Sequence, residues 1–191
     1  TYTERAFHYS PDFQTLPNHV RLQGYFQSQK YFESAELDIR ADFDFVNPPS
    51  PQNAIVLDTI KKVNAVSVHF RRGDYVSDKN TLSVHGTPSI ITYYMKAIDY
   101  IASRTENPVF FIFSDDIEWC KTNFVPNYEC RYIGINKTKE SAFEDLRLMQ
   151  NCKHHVIANS SFSWWGAWCH LDPLKIVIYP TQWFATNERN T

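Results

Sequence analysis

Val66-Ser67-Val68-His69-Phe70-Arg71-Arg72-Gly73-Asp74-Tyr75 changes character in one step, from an apolar run to two arginines, a glycine and an aspartate. An apolar strand that ends this abruptly makes a poor core edge and a good anion site. Guanidinium is planar, always charged, and forks onto phosphate oxygens in a way that lysine does not match. In open α/β sheets, ligands bind beyond the carboxyl ends of the strands, which is where this arginine pair falls. The competing reading is a solvated loop in which Asp74 pairs one arginine for structure.

Outward from that run, strand and helix patterns alternate. Val63 to Phe70 reads as a strand. Thr87-Pro88-Ser89 reads as a helix start with proline at the first helical position, and 90–104 carries apolar residues at helical spacing. Pro108 to Phe113 is a short continuous apolar run, the mark of a parallel strand buried on both faces. A helix is expected over 116–124 and a strand over 129–133. Ser141-Ala142-Phe143-Glu144 has capping-box spacing, with Thr138 as an alternative start. Strand 155–158, helix 162–170 and strand 175–179 complete the series. Strands alternating with helices of this length give βαβ units, hence an α/β, Rossmann-like parallel sheet with flanking helices.

The first fifty residues stand apart. Val20 to Phe26 reads as a strand and Ser28 to Ala35 as a short helix. Asn47-Pro48-Pro49-Ser50-Pro51 reads as a stiff linker or hinge. Residues 1–51 are therefore expected to form a connecting segment or the edge of another domain, and 52–191 the sheet domain.

The chain of 191 residues is 43% hydrophobic and 21% charged, with formal net charge −2. That composition suits a globular domain, and with no basic excess it offers nothing to nucleic acid. No run of about 18 apolar residues is present, so no transmembrane segment is expected. Cys120, Cys130, Cys152 and Cys169 lack CxxC spacing and read as small hydrophobes in a reducing compartment. Asn136-Lys137-Thr138 and Asn159-Ser160-Ser161 are sequons that matter only after secretion. Arg72-Gly73-Asp74 spells an integrin-type tripeptide, a coincidence at a strand end.

Three chemistry-bearing groups fall at the carboxyl ends of three expected strands. They are His69 to Asp74, then Ser114-Asp115-Asp116, then Asn159-Ser160-Ser161-Phe162-Ser163. Hydroxyls and amides at a helix N-terminus take phosphate, and arginines opposite them would clamp a pyrophosphate. Asp115 and Asp116 suit ribose hydroxyls or the N–H edge of guanine. They equally suit a helix cap, and less well a divalent metal, because the arginines already supply countercharge. Ser160 to Ser163 also serve as an N-cap, and Trp164 and Trp165 read as packing. His85 is either a loop residue or a catalytic group.

His69-Phe70-Arg71-Arg72-Gly73-Asp74-Tyr75 resembles the HxRRGDY signature of the α-1,2-fucosyltransferases, glycosyltransferase family 11. The resemblance continues through His85-Gly86, Tyr93-Tyr94, Ser114-Asp115-Asp116 and Trp119-Cys120, then Asp145-Leu146 and Met149. It is strongest over Asn159 to Trp168, and Gly24 to Ser28 with Lys30-Tyr31-Phe32 also matches. The family's Gly-Gly-x-Gly-Asn-Gln stretch and its short C-terminal tail are absent. The chain thus looks like the donor-binding half of a GT-B enzyme, with 1–51 as a remnant of the acceptor-side domain.

The resemblance implies inverting transfer of L-fucose from GDP-fucose to the 2-hydroxyl of a terminal galactose in a glycan, without cofactor or metal. Arg71 and Arg72 would stabilise charge growing on the β-phosphate, one on the phosphate itself and the other partly structural, with His69, Asp115, Asp116, Asn159, Ser160, Ser161, Phe162 and Ser163 around the donor. Asp74 would orient an arginine or act as base, His85 is the alternative base, and a third reading puts the base in the acceptor-side half. The other readings are a GDP- or GDP-sugar-binding fragment without turnover, and a fucosyltransferase of another linkage such as α-1,6. The expected location is the bacterial cytoplasm, at most peripheral to the inner membrane, against a trimmed Golgi lumenal domain.

Overall fold

The structure, a computed structural model, describes residues 1–73 and 91–184. The described residues fall into two compact units, Thr1–Asp44 and 45–184.

In the first unit β1 (Tyr2–Thr3) and β2 (Leu22–Gln23) pair in parallel. Rings fill the place of a larger core: Tyr31 lies edge-on to Phe13 at 4.8 Å and to Phe26 at 5.2 Å. The strand expected over 20–26 shrinks to two residues: past Gln23 the Tyr25 and Phe26 amides donate to the Glu4 carboxylate, and Phe26 takes a positive φ of 48°. The helix expected over 28–35 is instead two 3-10 turns, Gln29–Tyr31 and Glu33–Ala35, leading into α1 (Glu36–Asp42). Phe32 between the turns sits at φ −132°, outside helical space.

The second unit opens with α2 (Pro51–Lys62), a helix absent from the sequence reading. The proline cluster is its start: Ser50 is the N-cap, its hydroxyl accepting from the Asn53 amide at 3.4 Å, and Pro51 takes the first turn, where its missing N–H costs nothing. Then follow β3 (Asn64–Phe70), α3 (Ile91–Ala102), β4 (Pro108–Ser114), α4 (Ile117–Asn123), β5 (Cys130–Ile133), α5 (Ala142–Gln150), β6 (His154–Val156), α6 (Ser161–Cys169) and β7 (Val177–Ile178). The five strands β3 to β7 form one parallel sheet in the order β5-β4-β3-β6-β7. This is the expected Rossmann-like α/β fold. The helix start at Thr87-Pro88-Ser89 lies outside the described residues.

Side-chain alternation divides β3 and β4 between two cores. Val66, Val68, Phe70, Phe110 and Ile112 face Tyr94, Ile98 and Ile101 of α3. Ala65, Val109, Phe111 and Phe113 face Ile60 of α2 and Leu148 and Met149 of α5. Each fully buried ring adds about 1.5–3 kcal/mol, so the central pair is the rigid floor under the strand ends. One local expectation changes. The reciprocal capping box is Thr138 with Ser141, around a 3-10 turn, and Glu144 reaches elsewhere: its Oε1 accepts from the Ser50 amide at 3.1 Å.

Candidate functional site

Strand register builds the site. Phe70 of β3 pairs with Ser114 of β4, so the next residues out, Arg71 and Asp115, leave the sheet side by side. Arg71 Nη1 donates to Asp115 Oδ2 at 2.8 Å, and the Arg72 amide donates to Asp115 Oδ1 at 2.9 Å. Gly73 leaves room for this approach: a Cβ there would sit 2.7 Å from Asp115 Oδ2, which would have to shift. Arg72 turns the other way. Its guanidinium carbon lies 3.5 Å from the Trp119 ring centroid, and its Nε donates to Asp116 Oδ2 at 3.2 Å. Asp116 in turn caps α4, Oδ1 accepting from the Trp119 amide at 3.3 Å. Both carboxylates are thus held by the arginine pair, and Asp116 is also the helix cap.

A cleft of about 910 Å³ opens over the carboxyl ends of β3 to β6. His69 and Arg71 reach it from β3, Ser114 to Glu118 from β4, Ile133, Gly134 and Asn136 to Lys139 from β5, and Ser160 to Phe162 from β6. Between β3 and β6 the chain order reverses, the switch point at which such sheets bind ligands. Ser160 occupies the N-cap position of α6 without a side-chain capping bond, and both Ser160 and the exposed Ser161 line the cleft. Ser163 is buried and donates to the Ser160 carbonyl at 3.2 Å, and Asn159 Nδ2 donates to the Trp183 carbonyl at 3.1 Å, so these two brace the loop. Trp164 and Trp165 are half-buried, edge-on at 4.9 Å, while Trp168 is the buried tryptophan of the helix. Asp74 and His85 lie outside the described residues.

His69 is 6% exposed, and its ring lies 5.7 Å from that of Phe162. Burial lowers its pKa to about 4, Asp115 pulling it up and Arg71 pushing it down, so the imidazole is neutral at pH 7. The sequence reading missed a second group at the end of β5. Asp145 of α5 lines the cleft and accepts from Asn136 Nδ2 at 2.7 Å. Burial raises its pKa to about 7, the Asn136 bond opposing and the Glu144 charge adding. Asn136 had been read only as a sequon. A carboxylate one turn into an amphipathic helix carries no local signal of such a role. Lys137 and Lys139 line the same end.

Among the described residues no cluster of three His, Cys, Asp or Glu side chains is placed to hold a metal. No described helix is long and apolar enough to cross a membrane.

The family model of glycosyl transferase family 11 matches residues 6–189. An alpha-1,2-colitosyltransferase of Escherichia coli is 41% identical over 181 residues, 93% of this chain and 60% of that protein. The O-antigen biosynthesis glycosyltransferase WbnK of Escherichia coli is 40% identical over 68% of this chain and 42% of its own. The galactoside 2-alpha-L-fucosyltransferase SEC1 of Bos taurus is 29% identical over 78% of this chain and 42% of its own. The chain therefore spans between 42% and 60% of the length of these three relatives. No solved structure matches it.

Proposed function

The chain belongs to glycosyl transferase family 11, and on that premise we propose that its cleft holds the diphosphate of GDP-fucose for inverting transfer of L-fucose to the 2-hydroxyl of a terminal galactose. The observation that carries this reading is Arg71: a cation at a strand's carboxyl end, oriented by Asp115 at 2.8 Å, in a cleft shared with the N-terminus of α6.

As the C1–O bond breaks, negative charge builds on the β-phosphate. Groups that bind this charge harder in the transition state lower the barrier. Asp115 fixes the guanidinium plane, so Arg71 need not reorganise as charge appears. The α6 amides and the hydroxyls of Ser160 and Ser161 complete the cradle, and these fixed dipoles and the guanidinium supply the countercharge without a divalent metal. Neutral His69 packs the wall beside them. Asp74 or His85 takes the acceptor proton. Asp74→Asn that keeps donor affinity and loses transfer marks Asp74 as the base, whereas the same pattern in His85→Ala marks His85.

The Escherichia coli colitosyltransferase, at 41% identity, favours a second donor: GDP-linked colitose, which is fucose without its 3-hydroxyl. Competition between the two donors separates these readings.

The test of the diphosphate site is calorimetric titration of GDP into the protein with EDTA present, beside Arg71→Ala. Micromolar binding, about −8 kcal/mol, that collapses in the variant is expected. A folded wild type that binds no GDP, or an Arg71→Ala protein that binds it equally, overturns the proposal.

A further inference from the structure

We infer that the outer edge of β7 is a surface at which two copies of this chain pair, strand against strand, antiparallel about a two-fold axis through Val177. The parallel sheet has two edges, β5 and β7. Its ladder decides which backbone groups of β7 are open. The His155 amide donates to the Ile176 carbonyl and the Ile157 amide to the Ile178 carbonyl, both at 2.9 Å. Along a parallel strand, alternate residues turn both N–H and C=O to the same neighbour. Ile176 and Ile178 therefore face β6. Val177 and Tyr179 face outward, where no strand among the described residues pairs with them.

The two edges are finished differently. An open edge templates further pairing unless charge, proline or a covering element blunts it. At β5 the exposed Glu129–Arg131 ion pair, at 3.0 Å, does the blunting. Ile176 to Tyr179 carries no charge and is closed by proline only after its last residue, at Pro180. The described chain does not fold over this edge. Past Pro180 the Trp183 carbonyl accepts from Asn159, which follows β6, and Phe184 is buried, so the chain turns back across the sheet. Many doubly wound sheets place a further strand at this position.

Beside the open edge runs a groove of about 470 Å³, with Tyr93, Ala97 and Tyr100 of α3 on one side and β7 on the other. Its rings are held in advance. Tyr93 Oη donates to the Ile157 and Ile178 carbonyls at 2.7 and 3.1 Å, and the Arg104 guanidinium carbon lies 3.6 Å from the Tyr100 ring centroid. A surface ordered beforehand loses little side-chain freedom on association. Tyr100 is 47% and Tyr179 64% exposed. At about 200 Å² a ring, the two offer roughly 200 Å² of the roughly 800 Å² per partner in a standard interface. The pairing is therefore weak and forms as concentration rises.

A second copy fits this edge because the edge is its own complement. With Val177 on the axis, the two Val177 residues exchange both backbone hydrogen bonds, and Tyr179 lies opposite Lys175 of the other copy. Antiparallel pairing points the carboxyl ends of the two sheets in opposite directions, so the two clefts open away from each other.

The experiment is sedimentation equilibrium of wild type, Val177→Pro and Tyr179→Lys over a roughly hundredfold range of concentration. Wild type is expected to rise from monomer mass towards twice that mass. Val177→Pro removes an N–H that its own sheet does not use, which an edge strand tolerates, and should stay a monomer throughout. Tyr179→Lys, at an exposed site where refolding is not at risk, sets a charge opposite Lys175 and should weaken association about tenfold or more. Circular dichroism checks that both variants fold. Val177→Cys tests the axis itself. Paired residues in this register stand about 5.5 Å apart at Cα, within disulfide reach, so oxidation with diamide should link two copies. Tyr179→Cys, displaced from the axis, should link no more than wild type. A wild type that stays monomeric overturns the inference, as does a folded Val177→Pro or a Tyr179→Lys protein that associates like wild type. Val177→Cys that links no more than Tyr179→Cys overturns the axis.

Discussion

Arg71 and Arg72 are neighbours in sequence with opposite environments, and replacing each by alanine should separate binding from stability. The Arg72 side chain is 14% exposed and lies 3.5 Å from the Trp119 ring centroid. A cation–π contact so shielded contributes about 1–2 kcal/mol. Its partner Asp116 is 43% exposed, so that ion pair adds only about 0.5–1 kcal/mol. Together they place the cost of Arg72→Ala at about 1.5–3 kcal/mol, a fall in Tm of roughly 3–12 °C for a chain of this size. The Arg72 amide still donates to Asp115 in the variant, so Arg71 stays oriented and GDP affinity should drop less than about tenfold. The pair of Arg71, 35% exposed, with Asp115 contributes only about 0.5–1 kcal/mol to folding. On the proposed mechanism Arg71 supplies about 3–4 kcal/mol in the transition state, a hundred- to thousand-fold in rate. Thermal unfolding by circular dichroism, GDP calorimetry and donor turnover read the three quantities. An Arg72→Ala protein with wild-type Tm and GDP affinity as poor as that of Arg71→Ala would refute the division of roles.

Gly73→Ala should push Asp115 aside and lower GDP affinity about tenfold or more with little loss of Tm; a calorimetric trace like wild type's would show the approach to be slack. Asp145 is an acid whose folded pKa is raised to about 7, so its ionisation opposes folding: stability is greatest below about pH 4 and is lost as pH rises to 7. Asp145→Asn should therefore unfold later than wild type in urea at pH 8, by up to about 4 kcal/mol, with the gain gone at pH 4. A variant less stable at pH 8 would refute this. His69 and His155 run the other way. Both are held below the ordinary imidazole value, chiefly by burial, so their contribution is full above about pH 6.5 and falls away as pH drops. Two imidazoles outweigh one carboxyl, and urea unfolding should weaken from pH 6.5 towards 4. His155→Leu should flatten that slope by about one proton, and an unchanged slope would show that His155 protonates freely in the folded state.

The parallel sheet was legible because its signals are local. An unbroken apolar run such as Pro108 to Phe113 reports burial on both faces without reference to any other residue. What the sequence reading missed was set by competition between local signals. Asn47 to Pro51 carries turn residues dense enough to mask the helix they start, and only the Ser50 bond to Asn53 shows that the prolines lead into α2. The first unit failed similarly: Val20 to Phe26 has strand-like residues, but past Gln23 the Tyr25 and Phe26 amides donate to the Glu4 carboxylate and Phe26 takes a positive φ.

The same distinction governs the cleft. Arg71, Arg72, Asp115 and Asp116 announce charge at strand ends, yet their residue types do not say which charges face solvent and which face each other. Register decides that. Once Phe70 is opposite Ser114, Arg71 and Asp115 must meet, and the two aspartates become supports for arginines. The group with an oxygen left for a ligand is then one whose partners are remote in sequence: Asp145 takes its orientation from Asn136, and Asn136 from Asn53 on a helix that precedes the sheet. A single residue out of register between β3 and β4 would break the Arg71–Asp115 pair, and a displaced α2 would release Asp145. The Arg71 end and the Asp145 end of the cleft therefore depend on different parts of the fold. Ser50→Ala, which loosens α2 at its cap, should therefore leave the calorimetric affinity for inorganic diphosphate unchanged, and a loss matching that of Arg71→Ala would show that the two ends are coupled.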